Sequence, residues 1–299
     1  MKNVLSIQLF IQLLINGFAT GTLYALPALG LSLIWNATGA FNFAQGDLLT
    51  LGGYMMYTFY FLLDLPYPLA FTLAVVTMGM VGALLSKLYF YPMFIHKINP
   101  HITLIGTVAL SVFLQNLALV IWGSTPVTYL NPFGIKPLTV SGIYIMPHVI
   151  WYIAIVAVLV TALQYFLRGT IIGTAMRAVA QNSTASWLMG IQNDKMISLT
   201  FVMSTAIAAV SGILISPIIT LSPTMGGTIG VKVMASALIG GLGNFKGALI
   251  GGVLVGVAEA VFSAFFDPAY KEVFVFGLLL IFMIFRPGGI YKINITEKA

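Results

Sequence analysis

Few side chains in this sequence could do chemistry. Of 299 residues only seven are acidic, three are histidine and none is cysteine. The missing cysteine rules out disulfides, thiolate metal sites and cysteine nucleophiles. His96, His101 and His148 do not stand at a metal-binding spacing such as H-E-x-x-H, and there is no G-x-S-x-G turn to raise a serine nucleophile. A phosphate loop of the form G-x-x-x-x-G-K-[S/T] is also missing, so the chain is not expected to hydrolyse ATP itself or to hold a cofactor or metal. The string GLGNFKG has the look of a dinucleotide-binding turn, but no strand precedes it and no βαβ unit follows.

What remains is a set of polar groups embedded in apolar sequence. Glu259, in LVGVAEAVFSA, is the clearest acid inside a hydrophobic run. Such a residue faces a bundle interior or water, so Glu259 either lines a route through the membrane or reaches the interface near the outer end of its span. Asn42, Gln45 and Asp47 cluster in WNATGAFNFAQGD, residues 35–47, where they could contact a polar solute or one another. In the simpler alternative, Asp47 caps a helix that begins at Leu48. A comparable interruption, SPTMGGTIG at 222–230, carries Thr224. Backbone that leaves helical geometry at membrane depth is tolerated only where protein buries it or a cavity borders it. Paired breaks in the two halves of a chain therefore point to a central pathway, here Asn42, Gln45, Asp47, Thr224 and Glu259.

The elements that must position these groups are membrane spans. Sixty per cent of residues are hydrophobic, seven per cent are charged, and the mean hydropathy is +1.03. A bilayer takes roughly 20 apolar residues per helix, and a water-soluble surface could not be covered with so few charges. Closed barrels need alternating strands, which are not evident. The expected fold is a single all-α polytopic membrane domain over 1–299. Its eight or nine spans fall near 5–35, 46–63, 68–91, 102–122, 147–167, 196–219, 229–243, 246–265 and 272–286; the segment 229–243 is short for a crossing. The N-terminal run has no A-x-A-like cleavage site and is expected to be a retained span. Gly243, Gly247 and Gly251, with Gly252 and Gly256, recur at four-residue spacing and suit close helix packing.

Basic residues are scattered singly, which fits topology signals rather than nucleic-acid binding. Placing Arg168, Arg177 and Lys195 in the cytoplasm and alternating outward puts nine of the thirteen basic residues on that side. The C-terminus is then inside, and nine crossings put the N-terminus outside. The largest outer loop, 123–146, has three prolines, with a fourth at Pro147, and suits an extended or hairpin-like excursion.

Residues 168–195, RGTIIGTAMRAVAQNSTASWLMGIQNDK, look neither like a span nor like an ordinary loop. Thr174 suits the N-cap of a short helix in which Met176, Val179 and Ala180 share a face; Asn182 or Ser183 suits the cap of a second, ended by a left-handed Gly190 with Ile191 packing back. Helices this short need a surface. The bilayer, with Trp187 and Arg177 as anchors, is one option. The small residues Ala178, Ala180 and Ala185 favour a protein partner, with Met176, Val179, Trp187 and Leu188 facing it.

The stretch AVAQNSTASWLMGI, at 178–191, resembles the cytoplasmic coupling loop of ATP-binding-cassette importer permeases. NGFATGTLYALPALGLSLIW with GAFNFAQGDLLTLGGYM, and SPTMGGTIGVKVMASALIGGLGNFKGALIGGVLVGVAEA, are similar to the opening and closing blocks of LivH-type permeases of branched-chain amino acid transporters. Gln45 stands where that family often has His, Asn182 where it often has an acidic residue, and Lys232 lies in a run where it often has GLKAF; urea, amide and other small-solute permeases share the pattern. The resemblance implies an inner-membrane permease of a bacterium or archaeon. It would work with a second homologous permease, two cytoplasmic ATPases that bind ATP-Mg, and a periplasmic or surface solute-binding protein. It implies that Met176, Arg177, Ala178, Val179, Ala180, Gln181, Asn182, Ala185, Trp187, Leu188, Gly190 and Ile191 form the coupling site. A self-contained ion-coupled carrier or channel, for which the breaks and Glu259 would suffice, is the rival in another class. A membrane-embedded enzyme has less support.

Overall fold

The computed structural model describes residues 7–96, 98–129, 137–140 and 143–291. Lys2, Lys97, Lys136, Lys292 and Lys298, which entered the topology count, lie outside them, as does much of the expected outer loop (130–136 and 141–142).

Among the described residues, seven helices are long and apolar enough to cross a bilayer. They are built on α1 (Ile7–Thr38), α3 (Tyr67–Leu85, continued by a π turn and α4, Tyr91–Ile95), α5 (Pro100–Trp122), α6 (Pro147–Gly169), α9 (Asn193–Ile215), α11 (Phe245–Phe265) and α12 (Lys271–Phe285). The expected spans 46–63 and 229–243 are shorter elements. Helix α2 (Gln45–Tyr57) continues only as a π turn, Thr58–Leu62, and α10 (Met225–Gly240) has 16 residues. At 1.5 Å per residue, α10 covers about 24 Å, less than the roughly 30 Å hydrocarbon core. Among the described residues, then, seven helices are long enough to cross, and the two shorter ones at the expected spans, α2 and α10, each follow a break. The breaks are tighter than the sequence suggested, because α1 runs on through Trp35 to Thr38. In the outer loop Leu138–Val140 (β1) pairs antiparallel with Ile143–Ile145 (β2), matching the hairpin-like expectation.

Helix α9 is the most buried of the spans, with α1, α2 and α3 packed on it. Its small residues Ser204, Ala208, Ala209, Ser211 and Gly212 allow this close approach. Helix α1 contains Pro27, which removes one amide donor and leaves the Leu23 carbonyl without its intrahelical partner. The Ser211 hydroxyl donates to that carbonyl at 2.7 Å, so α9 repairs the gap proline makes in a medium that supplies no hydrogen bonds. Apolar side chains such as Ile105, Val112, Val120, Val158 and Ile284 are exposed on the peripheral helices α5, α6 and α12. In a bilayer that is the lipid-facing surface.

The glycine pattern resolves into two faces of α11. Gly252 and Gly256 lie against Ala25 and Gly21 of α1, and a Cβ on Gly252 would stand 2.5 Å from Ala25 Cα. Gly247 and Gly251 lie against the Gly240 and Ser236 carbonyls of α10. Gly243 departs from the packing expectation: at φ +82° it sits in the turn between α10 and α11, a left-handed geometry that glycine adopts without Cβ strain.

Candidate functional site

The two breaks meet inside the bundle. Gly46, in the first turn of α2, abuts the Gly226 carbonyl and Gly230 of α10, with no room for a side chain. The N-terminal ends of both short helices therefore converge. Beside them is a cavity of about 130 Å³, lined by Asn42, Gln45 and Ser111 among apolar groups that include Phe41, Phe43 and Met234.

Each polar group here has a definite role. Asn42 Oδ1 accepts from the Ala44 amide at 3.1 Å, a turn that starts α2 and fixes which end of the carboxamide is oxygen. Asn42 is 2% exposed, and its Nδ2 has no partner among the described residues. Gln45 exchanges hydrogen bonds with Ser204 of α9, with Nε2 donating at 3.2 Å. Asp47 does not cap a helix at Leu48, because α2 already begins at Gln45. Its carboxylate accepts from the Ser111 hydroxyl and from Gln115 Nε2 at 3.0 Å, both on α5, and it lies against Gly226 in the first turn of α10. A negative group at a helix N-terminus is favoured by the unpaired amides there. Thr224 is exposed and pairs with Ser222 rather than lining this cavity.

Glu259 is buried within the bundle. It is 8% exposed and accepts from Lys232 Nζ of α10 at 2.6 Å, while the same ammonium lies 3.4 Å from the Tyr24 hydroxyl of α1. This is the one ion pair found among the described residues, and it ties α10 to α11 under α1. A lone lysine ending a stretch free of Asp, Glu, Lys and Arg from 196 to 231 was the available signal, since a charge there needs a neutralising partner.

On the face carrying residues 168–195, α7 spans Ile171–Gln181 and α8 Ser183–Leu188. The cap of α7 is Thr170, whose Oγ1 accepts from the Gly173 amide at 2.9 Å, rather than Thr174. Asn182 caps α8 through Oδ1 to the Ala185 amide at 2.9 Å. Gly190 closes α8 at φ +83°, and Ile191 packs back toward Val179 and Ile197. Met176 and Val179 do not face outward. Met176 is buried against Leu33, Leu163 and Leu167, and Val179 against Ile34, Phe90, Ile197 and Phe201. They seat α7 on α1, α6 and α9. The outward apolar surface is Ile171, Ile172, Trp187, Leu188 and Met189, beside an open groove of about 430 Å³ bordered by Thr174, Ala178 and Ile191. Arg177, Gln181, Asn182 and Ala185 are exposed on the same face; Ala178 and Ala180 are half-buried.

Residues 13–283 match the family model described as "Branched-chain amino acid transport system / permease component". The chain belongs to this permease family. It is 32% identical to the high-affinity branched-chain amino acid transport system permease protein LivH of Salmonella typhimurium, over 97% of this chain and 98% of that protein. It is 33% identical to LivH of Escherichia coli K12 and 31% to BraD of Pseudomonas aeruginosa, over the same shares. No solved structure matches. As a member of this permease family the chain is a multi-pass membrane protein, and the matched stretch, residues 13–283, includes the breaks, Lys232, Glu259 and the α7–α8 loop.

Proposed function

We infer that this chain is a permease subunit of an ATP-driven importer that carries branched-chain or other small apolar amino acids across the cytoplasmic membrane of a bacterium or archaeon. The observation that carries the reading is the junction of the two breaks. There Asn42, whose Nδ2 is buried without a partner among the described residues, lines a small cavity with mostly apolar walls. A solute with an aliphatic side chain and a polar head suits such walls, its carboxylate accepting from Asn42 Nδ2 while the side chain meets Phe41, Phe43 and Met234. Support for an external motor comes from the exposed apolar face of Trp187, Leu188 and Met189 on a loop seated firmly on α1, α6 and α9.

In this mechanism two cytoplasmic ATPases, which hold ATP-Mg, grip α7 and α8 and close on nucleotide. Asn193 Nδ2, donating to the Ser183 carbonyl at 2.8 Å, carries α8 motion into α9. Helix α9 packs on α1 and α2, so its movement shifts the junction at Gly46, Gly226 and Gly230. A second homologous permease completes the path, and an external binding protein delivers solute. Affinity purification in mild detergent, with identification of the companions and a ligand screen on the binding protein, tests the assignment. Recovery of two ATPase copies and an aliphatic amino acid ligand supports it; a chain that purifies alone and transports on an ion gradient refutes it.

A further inference from the structure

A second cavity, of about 460 Å³, lies apart from the junction, at the end of the bundle that carries α7. Helix α1 contributes Leu29 to it, while α6 (Leu163, Leu167) and the start of α11 (Leu249) form its apolar sides. Helices α6 and α11 both pack on α1 without extended contact with each other, which leaves a groove. Three cations border the groove: Arg168 from the last turn of α6, Arg177 from α7 and Lys246 from the first turn of α11. None of the three has an acidic partner among the described residues. Arg177 Nη2 donates to the Thr174 hydroxyl, a neutral contact that leaves its charge uncompensated. The rim is held firmly, since Asn36 Nδ2 of α1 donates to the Gly243 carbonyl at 2.7 Å and Asn244 Oδ1 caps α11 through the Gly247 amide.

We propose that this groove is a binding site for an anionic phospholipid of the leaflet on the α7 side. The phosphate would meet Arg168, Arg177 and Lys246, and an acyl chain would lie along Leu163, Leu167 and Leu249. Three uncompensated cations above an apolar cleft between spans match an amphiphile with a negative head and a hydrocarbon tail. A soluble phosphate ester would use the cations but not the apolar sides. Because Arg177 belongs to α7, lipid bound here would also brace the seat of the α7–α8 loop.

The test is native mass spectrometry of the full chain, purified with its companions in mild detergent and titrated with phosphatidylglycerol, phosphatidylcholine or inorganic phosphate. Wild type is expected to retain phosphatidylglycerol selectively. The triple variant Arg168→Gln, Arg177→Gln, Lys246→Gln is expected to weaken that retention by on the order of a hundredfold, each cation contributing several-fold. A charge-preserving triple, Arg168→Lys, Arg177→Lys, Lys246→Arg, should keep it, which separates charge from misfolding. Equal retention of phosphatidylglycerol by wild type and the glutamine triple would overturn the proposal. So would equal retention of phosphatidylcholine, or inorganic phosphate binding as tightly as the lipid.

Discussion

At the scale of single residues the chain concentrates its polar chemistry in two buried groups. The Lys232–Glu259 pair is held out of water with Tyr24 beside it, so removing one partner leaves an uncompensated charge. Lys232→Met or Glu259→Gln is therefore expected to lower stability by about 3–5 kcal/mol, read as an earlier loss of the monodisperse peak on heating in detergent. The double variant Lys232→Met, Glu259→Met should recover most of that loss; single variants as stable as wild type would remove the pair from the account. Asn42 makes a separate prediction. Asn42→Ser keeps an oxygen for the Ala44 amide but removes the free amide donor. Uptake should then show a KM raised by about tenfold at unchanged membrane abundance, the scale of one lost buried hydrogen bond. Unchanged kinetics would show that this donor does not meet solute. Asp47 was visible in the sequence, but its role was not. Its partners Ser111 and Gln115 lie more than sixty positions away, and no local pattern records a contact that only the packing of α5 against α2 creates.

At the scale of elements, spacing was a good guide to where helices run and a poor guide to which face they bury. Met176 and Val179 make an apolar stripe on α7 that is equally suited to a partner or to the chain itself. The bundle claims them, because α7 sits where α1, α6 and α9 all present Leu, Ile and Phe side chains. The face left for a partner is set by what the fold does not cover, namely Trp187, Leu188 and Met189. Gly190 was readable because a left-handed helix end has few residue choices. Gly190→Pro, which cannot take that φ, and Ala185→Arg, which enlarges an exposed small residue on α8, are both expected to abolish transport and ATPase stimulation while insertion stays intact. Normal ATPase stimulation in either variant would move the coupling surface elsewhere. Gly46→Val is expected to prevent stable folding, seen as loss of membrane-extracted monodisperse protein, because the Gly226 carbonyl and Gly230 already occupy that space.

At the scale of the whole molecule, the architecture is two long helices, α1 and α9, each followed by a break and a short helix. The short helices meet at their N-terminal ends within the bundle, and α2 packs on α9 as α10 packs on α1. Composition made the membrane class and the number of long runs legible, since each span must carry its own apolar sequence. It could not distinguish a short helix that begins at a buried junction from a full crossing, because both are simply apolar. The resulting molecule has a small cavity beside the junction of its breaks, an exposed apolar surface on the α7–α8 loop, and no phosphate loop in its sequence. The most direct measurement is uptake of labelled leucine into proteoliposomes containing the complex purified through this chain, with its binding protein outside and ATP enclosed. The account predicts uptake that requires enclosed ATP and is lost when the Ala185→Arg chain replaces wild type. Uptake by this chain alone, driven by an ion gradient and indifferent to ATP, would contradict it.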